Sequence, residues 1–560
     1  MIYRRILTLS LFAGCGAFTI PHTSRHSQVS FEHYQPEPRL ESSLQSTVES
    51  RSGNARSQSI STRQLAMQAL TAPPANKKKA LENFSPISRL ESSPQFLNLE
   101  DQRDKSFARH LVSTTMRRMG QIDCILNHVC DVYPPRGKGK QSLILQAALR
   151  LGVAQLMFLD TPAFAAVMET VDVLKKTTIG KGQGNGKSDN KVAGKGERKV
   201  MPKQLVSFCN AVLRRVDRER DDLLEMTNPR DNVSSFLQKE FIQAYGSDLT
   251  NKVIEQLMDE TAHQNVDLSL NTSGLKSEKE RQVFADEMAE VFSDGHSDRE
   301  DMGFESIIKL PNGSLRIKKG SNNGSISKWP KYDSGVWWVQ DVSSTLPALA
   351  LISSLRSIHG EENFEKLNVV DMCAAPGGKT AQLLSSGFHV TAIEANARRC
   401  RRLLENLDRL QLGEKCDVVV KYGQEWTPDA DMKVAGILVD VPCSATGTGN
   451  RRPDVLQKDE DLGNLLDTQE KLAHHCAENV LEAGAVMVYA TCSLLPKESE
   501  DQIKRLLQKG HVEISPFLPG EIPGFDDAID ENGFLRVLPG VLDGDLKQCD
   551  GFFVARLIKI

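Results

Sequence analysis

From residue 367 onward the chain alternates short apolar runs with helix-length stretches, and this alternation constrains its fold more than any other feature. Residues 368–372, 389–394, 418–422, 435–440 and 485–490 read as strands, with helices such as 379–386 and 397–412 between them. That order predicts an α/β, Rossmann-like, doubly wound and mostly parallel sheet within a domain spanning 351–560. Ligands of such sheets bind outside the carboxyl ends of the strands.

The rest of the chain must supply other domains, because 560 residues suit about three or four. With 39% hydrophobic and 25% charged residues, collagen-like, coiled-coil and wholly disordered chains are excluded. No run of about 18 apolar residues suggests a membrane span, so no membrane partner is expected. The eleven cysteines are scattered and include no CxxC pair. A disulfide framework and a structural zinc site are therefore not expected, and no metal is assigned.

A net charge of −4 argues against a nucleic-acid partner, but the mean hides an asymmetry. Residues 59–220 hold 27 Lys and Arg against 14 Asp and Glu, and 1–58 hold 6 against 4. The remaining 221–560 therefore carry −19. A basic segment joined to an acidic one suggests a polyanion partner for the first; a solvated basic surface is the alternative.

Residues 1–58 read as a targeting presequence without ordered structure. Arg4 and Arg5 precede a short apolar run and the small residues Cys15-Gly16-Ala17. The stretch from there to residue 58 is rich in Ser, His, Arg and Gln, with too few apolar residues for a core. The join Gly16-Ala17-Phe18-Thr19-Ile20-Pro21 resembles the cleavage site of bipartite plastid presequences. The resemblance implies a plastid (chloroplast) location. Four glutamates fit it poorly, and mitochondrial import is the alternative.

Residues 59–222 show helical periodicity, interrupted by a Gly- and Lys-rich stretch at 180–202 that reads as a flexible insertion. Four pieces recur in order: Asp104-Lys105-Ser106-Phe107-Ala108, Leu149-Arg150-Leu151-Gly152-Val153-Ala154-Gln155-Leu156, Ala165-Ala166-Val167-Met168-Glu169 and Asn210-Ala211-Val212-Leu213-Arg214. Together they resemble a NusB-like, all-helical RNA-binding domain. The Leu and Ala stripes are core. Arg117, Arg118, Arg214 and Arg215 are the candidates for phosphate contact, with Arg451 further on. Residues 223–350 read as a connector or small α+β subdomain, with a strand near 266–272 and a turn-rich loop at 313–323.

The chemistry lies at three strand ends. The first strand ends in Asp371-Met372-Cys373-Ala374-Ala375-Pro376-Gly377-Gly378-Lys379-Thr380, whose glycines let the backbone approach a ligand closely. The second ends in Glu394, at the distance where a carboxylate grips ribose hydroxyls. This pattern suits S-adenosylmethionine; a plain glycine turn with a surface acid is the alternative. The fourth strand ends in Asp440-Val441-Pro442-Cys443, and the fifth in Tyr489-Ala490-Thr491-Cys492-Ser493. Carbon 5 of cytosine cannot attack a methyl sulfonium until a nucleophile has added at carbon 6, and a thiolate does this well. A second thiol can then remove the proton from carbon 5. A lone cysteine is more often a small buried hydrophobe, and Cys373, Cys400, Cys416, Cys476 and Cys549 are read that way.

With these motifs the catalytic segment resembles the RsmB (Sun, Fmu) family of RNA cytosine-C5 methyltransferases. Arg451-Arg452-Pro453-Asp454, Thr468-Gln469, Leu495-Pro496-Lys497-Glu498 and the closing Asp550–Leu557 segment belong to the same resemblance. A NusB-like domain in front is the arrangement of RsmB itself. The resemblance implies that Cys492 is the nucleophile, that Cys443 assists product release and that Asp440 holds the cytosine edge. It implies that Cys373, Ala374, Ala375, Pro376, Gly377, Gly378, Lys379, Glu394, Gln424 and Asp440 bind S-adenosylmethionine. Two positions depart from the family. Gln424 stands where it has Asp, and Leu268-Ser269-Leu270-Asn271 lacks the arginine of its Arg-x-Asn motif, whereas the Gln340-Asp341-Val342-Ser343 motif is present. The expected enzyme is a monomer that methylates small-subunit ribosomal RNA of an organelle. A transfer-RNA methyltransferase and a catalytically inactive RNA-binding assembly factor are the alternatives.

Overall fold

In a computed structural model of the chain, the described residues are 29–31, 61–71, 85–133, 139–159, 161–179, 199–259, 265–293, 307–318, 326–360, 363, 366–458 and 462–560. The leader outside 29–31 and the insertion at 180–198 lie outside them. The chain divides into two units. One comprises 1–45, 260–447 and 461–560; the other comprises 46–259 and 448–460.

The first unit is built on the alternating segment. Its strands are β1 (Asn368–Met372), β2 (His389–Ile393), β3 (Cys416–Val420), β4 (Val434–Asp440), β5 (Val486–Thr491), β6 (Val512–Ile514), β7 (Leu535–Val537) and β8 (Phe552–Lys559). The sheet runs β3-β2-β1-β4-β5 in parallel, then β8 and β6 antiparallel, with β7 also paired to β8. Alternate side chains enter opposite layers, as strand geometry requires. Val369, Leu438 and Val488 pack into one core with Leu351, Leu383 and Leu403. Val370, Ile437, Val439 and Met487 pack into the other with Leu472, Ala477 and Leu506. Each buried aliphatic side chain contributes about 1.5–3 kcal/mol, so the sheet is held from both faces. Three leader residues, Val29–Phe31, pair in parallel with β3. This departs from the expectation of a wholly unstructured presequence: an edge strand leaves backbone donors and acceptors that another strand can satisfy.

A second, four-stranded antiparallel sheet in this unit orders Ile307–Lys309, Leu315–Ile317, Val266–Leu270 and Trp337–Val339. The expected loop at 313–323 thus contains a strand. Gly313, at φ 87°, makes the hairpin turn, and the buried Arg316 forms a two-pronged ion pair with Asp267. Three residues are too few for periodicity to show.

The other unit is helical. Thr62–Leu70, Gln102–Arg117, Met119–Val129, Lys140–Phe158, Ala163–Lys176 and Lys203–Arg218 surround a core that includes Leu65, Leu111, Ile125, Leu149, Val153 and Leu213. At Gly152 an added Cβ would stand 2.5 Å from Leu213 Cδ2, so a glycine lets the last of these helices come close to Lys140–Phe158. By length and mean hydropathy Lys140–Phe158 could cross a membrane, but it holds no unbroken apolar run and two-thirds of it is buried in this core. The ladder Thr178–Ile179 with Lys199–Val200 closes the base of the insertion. The unit continues past residue 222 through Ser235–Met258, where Gly246 at φ 75° breaks the helix into two. The connector boundary therefore falls near 259 rather than 222, because Val253, Ile254 and Leu257 turn buried apolar faces inward.

Candidate active site

The parallel strands all deliver their carboxyl ends to one edge. From β1 the chain turns through Cys373, at φ 62°, and Gly377, at φ 103°, into the helix Gly378–Ser385. A Cβ on Gly377 would lie 2.5 Å from Leu403 Cδ1, so only glycine suits both the conformation and the space. Behind the loop, Asp371 accepts a 2.6 Å hydrogen bond from Thr380 Oγ1. Burial pushes its carboxyl up to about 7, against the pull of Thr380 and Lys379. Gln340 seats the helix Gly378–Ser385: its amide donates to Gln382 Oε1 at 2.7 Å, and its oxygen accepts from Ser269, the residue standing in for the family arginine. Burial, with the charges of Glu394 and Asp440, pushes the Cys373 thiol up to about 12, which keeps it protonated.

Glu394 ends β2 and is 4% exposed. Its Oε1 accepts the Asn396 N–H at 2.9 Å. Its Oε2 lies 3.1 Å from an Arg399 guanidinium nitrogen, yet no donor meets it at hydrogen-bonding angles. A buried acceptor without a hydrogen is costly. Two ribose hydroxyls are the donors that would relieve it, so the residues fit the nucleoside of S-adenosylmethionine. After β3, Gly423 packs against Met372 and Leu472, and Gln424 beside it is exposed.

Asp440 ends β4, and its Oδ2 accepts from Lys379 Nζ at 2.9 Å. The lysine expected to hold the cofactor thus points toward the acid expected to hold the cytosine edge. Burial weakens the Lys379 ammonium, but Asp440 more than restores it and its pKa lies above the ordinary lysine value. Cys443 and Cys492 lie just beyond the neighbouring strands β4 and β5, which are in register at Asp440 and Ala490. Their Sγ atoms stand 3.4 Å apart. The hydrogen bond with Cys443, then burial and the nearby negative charges, hold the Cys492 thiol well above its usual range, while Lys379 pulls it down. Cys400, Cys416, Cys476 and Cys549 are buried.

The proposed RNA contacts divide. Arg117 is 1% exposed and donates to the Leu257 carbonyl at 3.2 Å. This corrects its assignment: it is a core residue of the helical unit. Arg118 lies over the Phe158 ring, and Arg215 donates to Val129 O and pairs with Glu219. Arg214 and Arg451 are exposed.

Sheet order, glycine loop and strand-end acids define a Rossmann-like methyltransferase. Residues 360–558 match the family described as 16S rRNA methyltransferase RsmB/F, and residues 60–184 match the NusB family. The chain is 28% identical over 479 residues to Ribosomal RNA small subunit methyltransferase B of Serratia proteamaculans, covering 83% of this chain and 93% of that one. It is 29% identical over 419 residues to the protein of the same name in Proteus mirabilis, covering 73% and 84%. The crystal structure of PH0851 shares the fold, with a TM-score of 0.58 at 18% identity over 90% of this chain and 99% of that one. The chain thus carries an RsmB/F-type methyltransferase domain over 360–558, preceded by a NusB-family domain over 60–184.

Proposed function

We propose that this protein methylates carbon 5 of a cytosine in small-subunit ribosomal RNA through a covalent adduct with Cys492. The observation that carries this reading is the 3.4 Å pair of thiols beside Asp440. Amino-group methylation needs no thiol; carbon-5 methylation needs a nucleophile and then a base. S-adenosylmethionine, when bound, supplies an electrophilic methyl group, and the loop 373–379 with Glu394 and Gln424 would hold it.

The residues act in sequence. The Cys492 thiol passes its proton to solvent, and its thiolate adds to carbon 6, making carbon 5 nucleophilic. Lys379 favours that ionisation, since its positive charge lowers the Cys492 pKa. Asp440 accepts a hydrogen bond from the cytosine exocyclic amine, and the ammonium beside it offsets negative charge on the ring. Once carbon 5 is methylated, Cys443, after releasing its own proton to solvent, takes the carbon-5 proton. The carbon 6–sulfur bond then breaks, and the electron pair returns to Cys492.

Methyl transfer from labelled cofactor to RNA tests the reading. Wild type transfers label, Cys492→Ala does not, and Cys443→Ala accumulates a covalent protein–RNA band. Absence of label transfer by wild type overturns it. Delivery to a plastid is proposed on the leader's Arg4, Arg5 and apolar run and the join Gly16-Ala17-Phe18-Thr19-Ile20-Pro21, which lie outside the described residues, with a mitochondrion as the alternative. Imaging residues 1–60 fused to a fluorescent protein reports the organelle.

A further inference from the structure

Two motifs of the catalytic segment, Thr468-Gln469 and Leu495-Pro496-Lys497-Glu498, have no part in the methyl transfer as derived from the thiols, Asp440 and Lys379. The fold brings both beneath the thiols. Glu498 is fully buried, as are Gln469 and Ser493, and Ser444 is nearly so. The Glu498 Oε1 accepts the Ser444 N–H at 2.8 Å and the Gln469 side-chain amide at 2.9 Å. Its Oε2 accepts the Ser444 hydroxyl at 2.5 Å and the Ser493 hydroxyl. The Gln469 amide also donates to Pro442 O at 2.8 Å. Ser444 comes directly after Cys443, Ser493 directly after Cys492, and Pro442 directly before Cys443.

One carboxylate therefore joins the two loops that carry the thiols, at the residue after each cysteine. We propose that Glu498, seated by Gln469, is the positioning residue that sets the spacing of Cys443 and Cys492. This rests on the reading of both thiols as reactive.

The chemistry of the donors explains why a carboxylate stands there. Four hydrogens converge on two oxygens, and no Lys or Arg pairs with it among the described residues. A buried charge without a counter-ion is costly, and an apolar side chain would pack with less penalty. Direct bonds also join the loops, Gly447 N–H to Cys492 O at 2.9 Å and Leu494 N–H to Thr446 Oγ1 at 2.8 Å; what the carboxylate adds is a tie at the residue next to each thiol. The turn carrying Glu498 is itself anchored: Tyr489 in β5 donates to its carbonyl at 2.8 Å, and the Leu495 N–H donates to Ser493 Oγ at 3.0 Å. Misplacing a reacting group by about 1 Å can cost on the order of 100-fold in rate.

The test uses the full chain with Glu498→Ala, Glu498→Gln and the double variant Ser444→Ala/Ser493→Ala. Thermal unfolding and cofactor titration establish which variants fold. Methyl transfer gives kcat and KM, and diamide oxidation followed by mass spectrometry gives the rate of Cys443–Cys492 disulfide formation, which needs no RNA. For E498A the expected result is a drop of about 100-fold in kcat with KM for RNA and cofactor little changed, and slower cross-linking. E498Q restores most of both, because its oxygen still serves the two amides and the two hydroxyls can rotate to accept. The double serine variant keeps the carboxylate and its bonds to Ser444 N–H and Gln469, loses both hydroxyl ties and with them the link to the Cys492 loop, and reproduces the loss if E498A does not fold. Cross-linking at the wild-type rate in a folded E498A or double serine variant overturns the proposal. Slower cross-linking in a protein that transfers no methyl group upholds the clamp and removes the functional reading instead.

Discussion

Lys379 Nζ donates to Asp440 Oδ2 at 2.9 Å, tying the helix after β1 to the end of β4 across 61 residues of chain. In the proposed reaction the pair joins the cofactor loop to the acid at the cytosine edge, and its two charges act in opposite directions on Cys492. Lys379→Met leaves a partly buried carboxylate without its partner, a loss of about 3 kcal/mol. The Cys492 thiol then rises further, because the cation that lowered it is gone. The pH profile of Cys492 alkylation by iodoacetamide should shift to the alkaline side. An unmoved profile in a folded variant contradicts the assigned role of Lys379.

In the proposed cofactor site Glu394 Oε2, 3.1 Å from Arg399 but without a well-aligned hydrogen, is the acceptor for ribose hydroxyls. Replacing it with alanine removes a charge-assisted hydrogen bond to the cofactor, worth about 1.5–3 kcal/mol. Calorimetric titration with S-adenosylhomocysteine should show affinity weakened by about 30-fold. Wild-type affinity in the variant would remove Glu394 from the cofactor site.

Asp371 predicts a pH dependence of stability. Its carboxyl rises from 3.8 to about 7 on folding because it is buried. Between those values the folded chain holds a proton that the unfolded chain has released. Stability therefore falls as pH rises through that window and levels off above about 7, by an amount on the order of 3–4 kcal/mol. Asp371→Asn has no such proton and still accepts from Thr380. Its melting temperature should gain on wild type from pH 5 to pH 8 and stay ahead above that. A constant difference across this range contradicts the shift.

Among the arginines of the helical unit, Arg117 and Arg214 should behave oppositely. Arg117→Ala removes the donor to the Leu257 carbonyl and should cost about 1.5–3 kcal/mol of stability, with the salt dependence of RNA binding unchanged. Arg214→Ala should leave the melting temperature alone and reduce the salt slope of RNA binding by about 1. The reverse pattern would restore Arg117 to the RNA surface.

The sheet was legible because its strands are apolar runs set off by glycine and polar turns. The strand at Leu315–Ile317 was not, since three residues carry no period and its Arg316 looks like a surface charge until Asp267 is placed beside it. Arg117 misled for the same reason: periodicity ranks apolar faces and says little about a cation at a helix end. The motifs Thr468-Gln469 and Leu495–Glu498 were visible as patterns, but their convergence on the thiol loops depends on β4 and β5 being neighbours.

What the sequence determined by itself is the set of strand-end residues: a glycine loop, Glu394, Asp440 and two cysteines, each placed by the local alternation of strand and helix. Which of them touch was decided by the tertiary structure. Parallel β4 and β5, in register at Asp440 and Ala490, bring the two sulfur atoms to 3.4 Å, and the hydrogen bond between them, with burial, then makes the Cys492 proton hard to remove and the Lys379 charge consequential. Local pattern records which chemistry a segment carries; distance and desolvation exist only after the sheet has closed around it.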